Sequence, residues 1–220
     1  MAKPGLLSIQ IDPHHKWEEI RISSLFAMDA VPSASSKLVL LATDVYTPEK
    51  HYQYEILFQL EDVSKVDISQ LNQALNALPA LVDLALYERL NFDKRDGPLN
   101  PQRTDVVIKV GLTPKNDPEV FQDYHNWYST EHIHRLKRVD GWKTGSRYQL
   151  FQQVGRKQEY AAPLVSIHQY EAVNGLGGVE WEKSVRTEWT MRVDSNKERL
   201  PHRRQFQVQD FSMRNPVTEN

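Results

Sequence analysis

Three histidines, two tyrosines, a tryptophan and a glutamate stand together in DYHNWYSTEHIHRL, residues 123–136 of a 220-residue chain. Imidazole exchanges protons near neutral pH, because histidine starts near pKa ~6.5. Phenol and indole rings grip apolar partners while donating a hydrogen bond. On a helix at about 100° per residue, Phe121, Tyr128, His132 and Val139 share a stripe flanked by Tyr124, His125, Arg135 and Leu136. Asn126, Thr130, Ile133 and His134 fall away from it. Such a stripe is expected to face a sheet, with Tyr128 and His132 side by side at i and i+4. Taken alone, His132 reads as a hydrogen-bonded core histidine. The crowding of polar tips on one face points instead to a ligand pocket between helix and sheet, since buried polar groups need partners.

Other groups could join that pocket. Along 163–171, Leu164, Ser166, His168 and Tyr170 alternate onto one face, as a strand requires. His168 could therefore line the pocket, with Trp189 on a following helix and Arg147 on a hairpin as further candidates. A helix-borne metal site is not expected. His125 and His132 lie seven residues apart, about 10 Å along the axis, too far to share one ion at about 2 Å. The segment NGLGG at 174–178 lacks the spacing and the lysine of a phosphate loop, so its glycines read as a turn. The basic run RLPHRRQ at 199–205 reads as a solvated strand entrance that could hold a carboxylate.

Two sets of elements must position these groups. Strands are predicted at 5–11, 37–46, 52–60 and 82–90, with helices at 16–30 (Trp17, Ile20, Ser24, Ala27) and 67–78, the latter capped by Asp67. The order repeats with strands at 105–112, 143–154, 163–172 and 203–211, and helices at 118–139, opened by Asp117 before Pro118, and 178–193. Between them NFDKRDGPLNPQR (91–103) carries turn residues and little to bury. The expected domains are an N-terminal half at 1–90, a linker at 91–104 and a C-terminal half at 105–214. The fold class is α+β: two β-α-β-β-α-β, ferredoxin-like repeats, each a four-stranded antiparallel sheet with two helices. The two sheets are expected to cover each other within one chain as a pseudo-dimeric α+β barrel; a single irregular α+β domain is the alternative.

The composition narrows the function. Hydrophobic residues make up 40% and charged residues 25%, enough for a real core, and the net charge of −2 gives no reason to expect nucleic acid or an anionic membrane. There is no cysteine, so thiolate and disulfide chemistry is excluded. The first ten residues lack the apolar run of a signal peptide, and no stretch reaches the roughly 20 apolar residues of a membrane span. A cytoplasmic protein with a small-molecule substrate is expected, with a homodimer left open.

The stretch FQDYHNWYSTEHIHRLKRVDGWKTGSRYQL resembles EthD-like proteins of the dimeric α+β-barrel superfamily. Phe121, Trp127-Tyr128, Glu131-His132-Ile133, Val139-Asp140-Gly141-Trp142 and Arg147-Tyr148 carry the resemblance. Asn174-Gly175-Leu176-Gly177, Thr187-Glu188-Trp189 and Arg203-Arg204 extend it to fungal two-repeat members, over about 105–211. Asp140 stands where the family commonly has proline. The first half departs further: Trp17-Glu18-Glu19 has no histidine within its helix, and His14 and His15 precede it. It reads as a scaffold half.

The resemblance implies cyclases, isomerases and cofactor-free quinone-forming monooxygenases that act on enolisable or phenolic substrates. It makes His132 the candidate base and Tyr128 its catalytic partner, with Tyr124, His125, Arg147, His168 and Trp189 as substrate-binding candidates. Some members bind haem through one helix histidine; otherwise no cofactor is expected. General acid–base chemistry suits substrates prone to enolise. The leading expectation is a cofactor-free cyclase, dehydratase or isomerase on a polyketide-type or small aromatic intermediate. The alternatives are a cofactor-free monooxygenase and a non-catalytic carrier of a hydrophobic metabolite.

Overall fold

The computed structural model describes residues 2–11, 31–43, 54–76, 81–90, 99–155 and 161–213. The helix expected at 16–30, His14, His15 and residues 91–98 lie outside them.

The described strands are β1 (Gly5–Ile11), β2 (Ala34–Ala42), β3 (Tyr54–Leu60), β4 (Leu81–Leu90), β5 (Val106–Leu112), β6 (Trp142–Gly155), β7 (Leu164–Tyr170) and β8 (His202–Met213). The helices are α1 (Ile68–Asn76), α2 (Pro118–Trp127), α3 (Ile133–Leu136), α4 (Val179–Val185) and α5 (Glu188–Ser195). All strand pairs are antiparallel, in the closed order β1-β3-β2-β8-β5-β7-β6-β4. Two sheets covering each other as a barrel were expected; the eight strands instead join edge to edge in one closed sheet. Lys37 pairs with Ser212 along one seam and Leu90 with Arg147 along the other. Closure follows from unpaired edge groups, which either find a partner strand or stay exposed.

β1, β3 and β7 are buried on both faces, whereas β8 leaves Arg203 and Gln207 exposed and β6 leaves Gln149 and Phe151 exposed. Leu6, Leu38, Leu57, Tyr87, Val107, Tyr148, Ile167 and Phe206 pack together inside the barrel. The opposite side chains of β1, β3 and β4, among them Leu7, Ile9, Phe58 and Leu84, form an outer core under Leu71 of α1. Asp67 starts that helix by accepting the Gln70 N–H at 3.0 Å. Leu99, in the segment expected to bury little, sits in the barrel core, and its N–H donates to Gln59 Oε1 at 2.7 Å.

The barrel interior is not wholly apolar. Lys109 Nζ forms a salt bridge with Glu55, and Ser8 Oγ donates to Glu55 Oε1 at 2.5 Å while receiving Lys109 Nζ at 3.1 Å. A dry interior tolerates such a pair only when both charges are matched. No helix among the described residues is long and apolar enough to cross a membrane.

Candidate functional site

The helix that carries the histidines starts where Asp117 Oδ1 accepts the Glu119 N–H at 2.8 Å, with Pro118 in the first turn. It is not a uniform α-helix. Residues Tyr128–His132 form one π-helical turn, in which the Ile133 N–H reaches back to the Tyr128 carbonyl. Such turns widen the helix by a residue and recur at functional sites. The extra residue changes the phase: Ile133, expected to point away from the sheet, is buried with Tyr124, Trp127 and Tyr128. The helix expected at 178–193 is likewise two helices. Thr187 interrupts it by accepting the Thr190 N–H at 3.0 Å as the cap of α5.

Between this helix and the outer face of β5, β7 and β8 lies a cavity of about 270 Å³. Ile108, Val110, Ser166, His168 and Tyr170 form its sheet wall, and Tyr124, Trp127, Tyr128, His132 and Leu136 its helix wall. Leu176, Trp181 and Val185 close one side, and Arg203 stands at the rim of β8. A larger concavity of about 800 Å³ is open and charged, lined by Glu131, Arg135, Lys183 and Trp189 among others. It holds none of the cavity histidines and offers no desolvated group for chemistry.

Tyr128 and His132 stand side by side in edge-to-face ring contact, but the hydrogen bond of each runs elsewhere. Tyr128 Oη meets His168 Nε2 at 2.7 Å, while the Tyr128 and His132 ring centres are 5.4 Å apart. His132 Nδ1 instead lies 3.1 Å from the Ser184 carbonyl oxygen, and its ring stacks on Trp127 at 4.1 Å. A carbonyl only accepts, so Nδ1 carries the proton and Nε2 the lone pair. Among the described residues Nε2 has no hydrogen-bond partner. On His168 the assignment is reversed: Trp142 Nε1 donates to Nδ1 at 3.4 Å, so Nε2–H faces the Tyr128 hydroxyl. Gly145 pairs with His168 across β6 and β7, and a Cβ there would lie 2.6 Å from His168 Nδ1. The missing side chain is the space the ring occupies.

Burial keeps these imidazoles neutral. It holds His132 down to about 4, against the opposing pull of the Ser184 carbonyl, with Arg147 adding to the depression. His168 is held at about 3 by burial first, then by His132, Arg147 and Lys137. Burial also raises the Tyr124 phenol, with Arg147 opposing.

Of the expected substrate-binding residues, Tyr124 and His168 line the cavity; His125, Arg147 and Trp189 do not. Arg147 is buried behind the tyrosines, its guanidinium 4.1 Å from the Tyr128 ring centre and 4.9 Å from that of Tyr124. It reaches His125 Nδ1 at 3.0 Å, and burial followed by this cation holds His125 at about 4. Trp189 Nε1 donates to Asp123 at 3.0 Å, beside the bidentate Arg192–Asp123 pair. It ties α5 to α2. Trp127, Trp181, Ser184 and Arg203 were not among the expected site residues. Trp127 Nε1 donates to Thr190 Oγ1 at 3.2 Å, and the chain runs on from Thr190 to Thr187 and from Thr187 to the Glu131 carboxylate. The neighbouring Tyr128 was the available signal for Trp127.

Among the described residues no group of three or more His, Cys, Asp or Glu side chains is gathered as a metal site. Haem, implied by the resemblance for some members, does not fit here. The carbonyl-held His132 has the orientation of a ligand, but Trp127 covers one ring face, and about 270 Å³ is below the roughly 300–1,000 Å³ of ordinary small-molecule pockets. A porphyrin needs more.

No protein-family model matches the chain, and no curated protein matches it. Solved structures of the same fold do. An anthrone oxidase-like protein superposes with a TM-score of 0.59 at 14% identity, covering 95% of this chain and 93% of its own. A candidate monooxygenase from Fusobacterium nucleatum gives 0.57 at 8%, covering 97% and 95%. A candidate chlorite dismutase gives 0.52 at 11%, covering 95% and 96%. These neighbours belong to the dimeric α+β-barrel superfamily, and at such identities the likeness is one of fold.

Proposed function

We propose that this chain oxygenates an enolisable or phenolic aromatic substrate, using molecular oxygen and its own side chains. One observation carries the proposal: His132 lines an aromatic cavity with its proton committed to the Ser184 carbonyl, which leaves Nε2 without a hydrogen-bond partner among the described residues. Nε2 removes a proton from an acidic C–H of the substrate. Tyr128, whose Oη is placed by His168 Nε2 in the wall of the same cavity, hydrogen-bonds the enolate oxygen as charge develops. The carbanion then transfers its electron pair to O₂, and the imidazolium returns a proton, giving a hydroperoxide. Loss of the second C–H proton with cleavage of the O–O bond gives a ketone and water. One O₂ is consumed, with one oxygen atom in each product.

The names of the neighbours favour this oxygen chemistry over the cyclase, dehydratase or isomerase reaction, which shares only the first proton transfer. Every residue assigned a role lies in the C-terminal half. The two quartets run β4-β1-β3-β2 and β8-β5-β7-β6; this shared order supports tandem ferredoxin-like repeats, with the first repeat as scaffold.

Oxygen uptake and product formation with an anthrone and a panel of naphthols, in air and under nitrogen, test the proposal. Turnover should require oxygen and fall about 10²–10⁴-fold in His132→Ala, with a smaller loss in Tyr128→Phe. Turnover under nitrogen would return the cyclase or isomerase reading. Binding without turnover, unaffected by His132→Ala, would make the protein a carrier.

A further inference from the structure

Resting on the reading of this cavity as the substrate site, we propose that its substrate carries a carboxylate, and that Arg203 selects it. Arg203 belongs to the basic run at 199–205 and pairs with Val110, which pairs in turn with Ser166. It therefore stands on the cavity face of the sheet, in the row that crosses β8, β5 and β7. Its guanidinium lies 5.6 Å from the ring centre of Trp181, another wall residue. The indole supports the planar fork without neutralising it. Arg204, the next residue, turns to the opposite face and is buried over Phe206.

The cavity does not supply a counter-charge. Asp194, the carboxylate among its described lining residues, is bound by Lys197 Nζ at 2.6 Å. Arg203 makes no ion pair or hydrogen bond among the described residues. With the cavity imidazoles neutral, one positive charge remains at the rim. A guanidinium fork matches a carboxylate bidentately, and a wall of tryptophan and tyrosine matches an aromatic ring. Two strand spacings, about 10 Å, separate β8 from β7, so the acid sits at the end of the substrate remote from Tyr128 and His168. Arg203 is thus a specificity residue whose loss acts on binding before turnover.

Binding of 2-naphthoate and 2-naphthamide at pH 7.5, read by quenching of tryptophan fluorescence, tests this without any turnover. Naphthoate should bind at least tenfold more tightly than the isosteric amide. Arg203→Gln should abolish that preference while leaving naphthamide affinity unchanged, and Arg203→Lys should retain part of it. Circular dichroism and thermal unfolding control for folding of the variants. Equal affinity of the two rings, no binding of either, a preference that survives Arg203→Gln, or equal weakening of both overturns the proposal. His132→Ala should keep the preference, so an absence of oxygen uptake would sink the proposed reaction and leave the carboxylate site standing.

Discussion

Acidification should destabilise the folded chain through its cavity histidines, and the share of His132 is large enough to measure. Burial holds this imidazole at about 4 in the folded protein, against about 6.5 in an unfolded chain. Between those values the unfolded state carries a proton that the folded state lacks, so stability rises with pH. The contribution is complete above about pH 6.5 and lost as the pH falls to about 4. A displacement of about 2.5 units at about 1.36 kcal/mol per unit gives about 3 kcal/mol, a large part of a typical total of about 5–15 kcal/mol. His132→Gln keeps a donor for the Ser184 carbonyl but does not titrate. Urea unfolding of both proteins at half-unit steps from pH 7.5 to 4 yields a difference curve, in which carboxylates common to both cancel. Wild type should lose about 3 kcal/mol relative to the variant across that interval. A difference curve flat between pH 6.5 and 4 would refute the reasoning.

Gly145→Ala should push the His168 ring from its place, since the new Cβ would lie 2.6 Å from Nδ1 and 2.9 Å from Cε1. Overpacking of about 1–3 kcal/mol should lower the thermal midpoint, and turnover should fall as the Tyr128 contact loosens; an unchanged midpoint would mean the ring is not held there. Lys109→Met should cost about 3–5 kcal/mol by stranding the Glu55 carboxylate inside the barrel. Lys109→Met combined with Glu55→Leu should recover most of that in guanidinium unfolding, and a double variant as weak as the single one would show that packing, not charge, was lost.

Short apolar runs, alternation and turn residues made every described strand legible to within a few residues. Asp67 and Asp117 marked helix starts for a local reason, the side-chain cap. What periodicity could not carry was the π turn, which depends on one skipped backbone bond rather than on composition. After it, Ile133 turns inward against the 100° projection. Tyr128 and His132 stay in ring contact, but the hydrogen-bond partner of Tyr128, His168, comes from a strand forty residues away. That contact needs Gly145 on a third strand, a tertiary coincidence with no local signature. Arg147 and Trp189 carried chemically suggestive types, but their partners, His125 and Asp123, hold them outside the cavity.

The seam between β2 and β8 also constrains the order in which the molecule can form. Roughly 160 residues separate Ala42 from His202, the ends of two strands that lie side by side. At about 5–20 residues per second, the ribosome takes roughly 10–30 s to deliver the partner of β2 after β2 itself is made. Until then the edge presenting Leu38–Leu41 has β3 on one side and no native neighbour on the other. Nascent chains therefore pass through a long interval with an open apolar edge, when a holdase chaperone has most to protect.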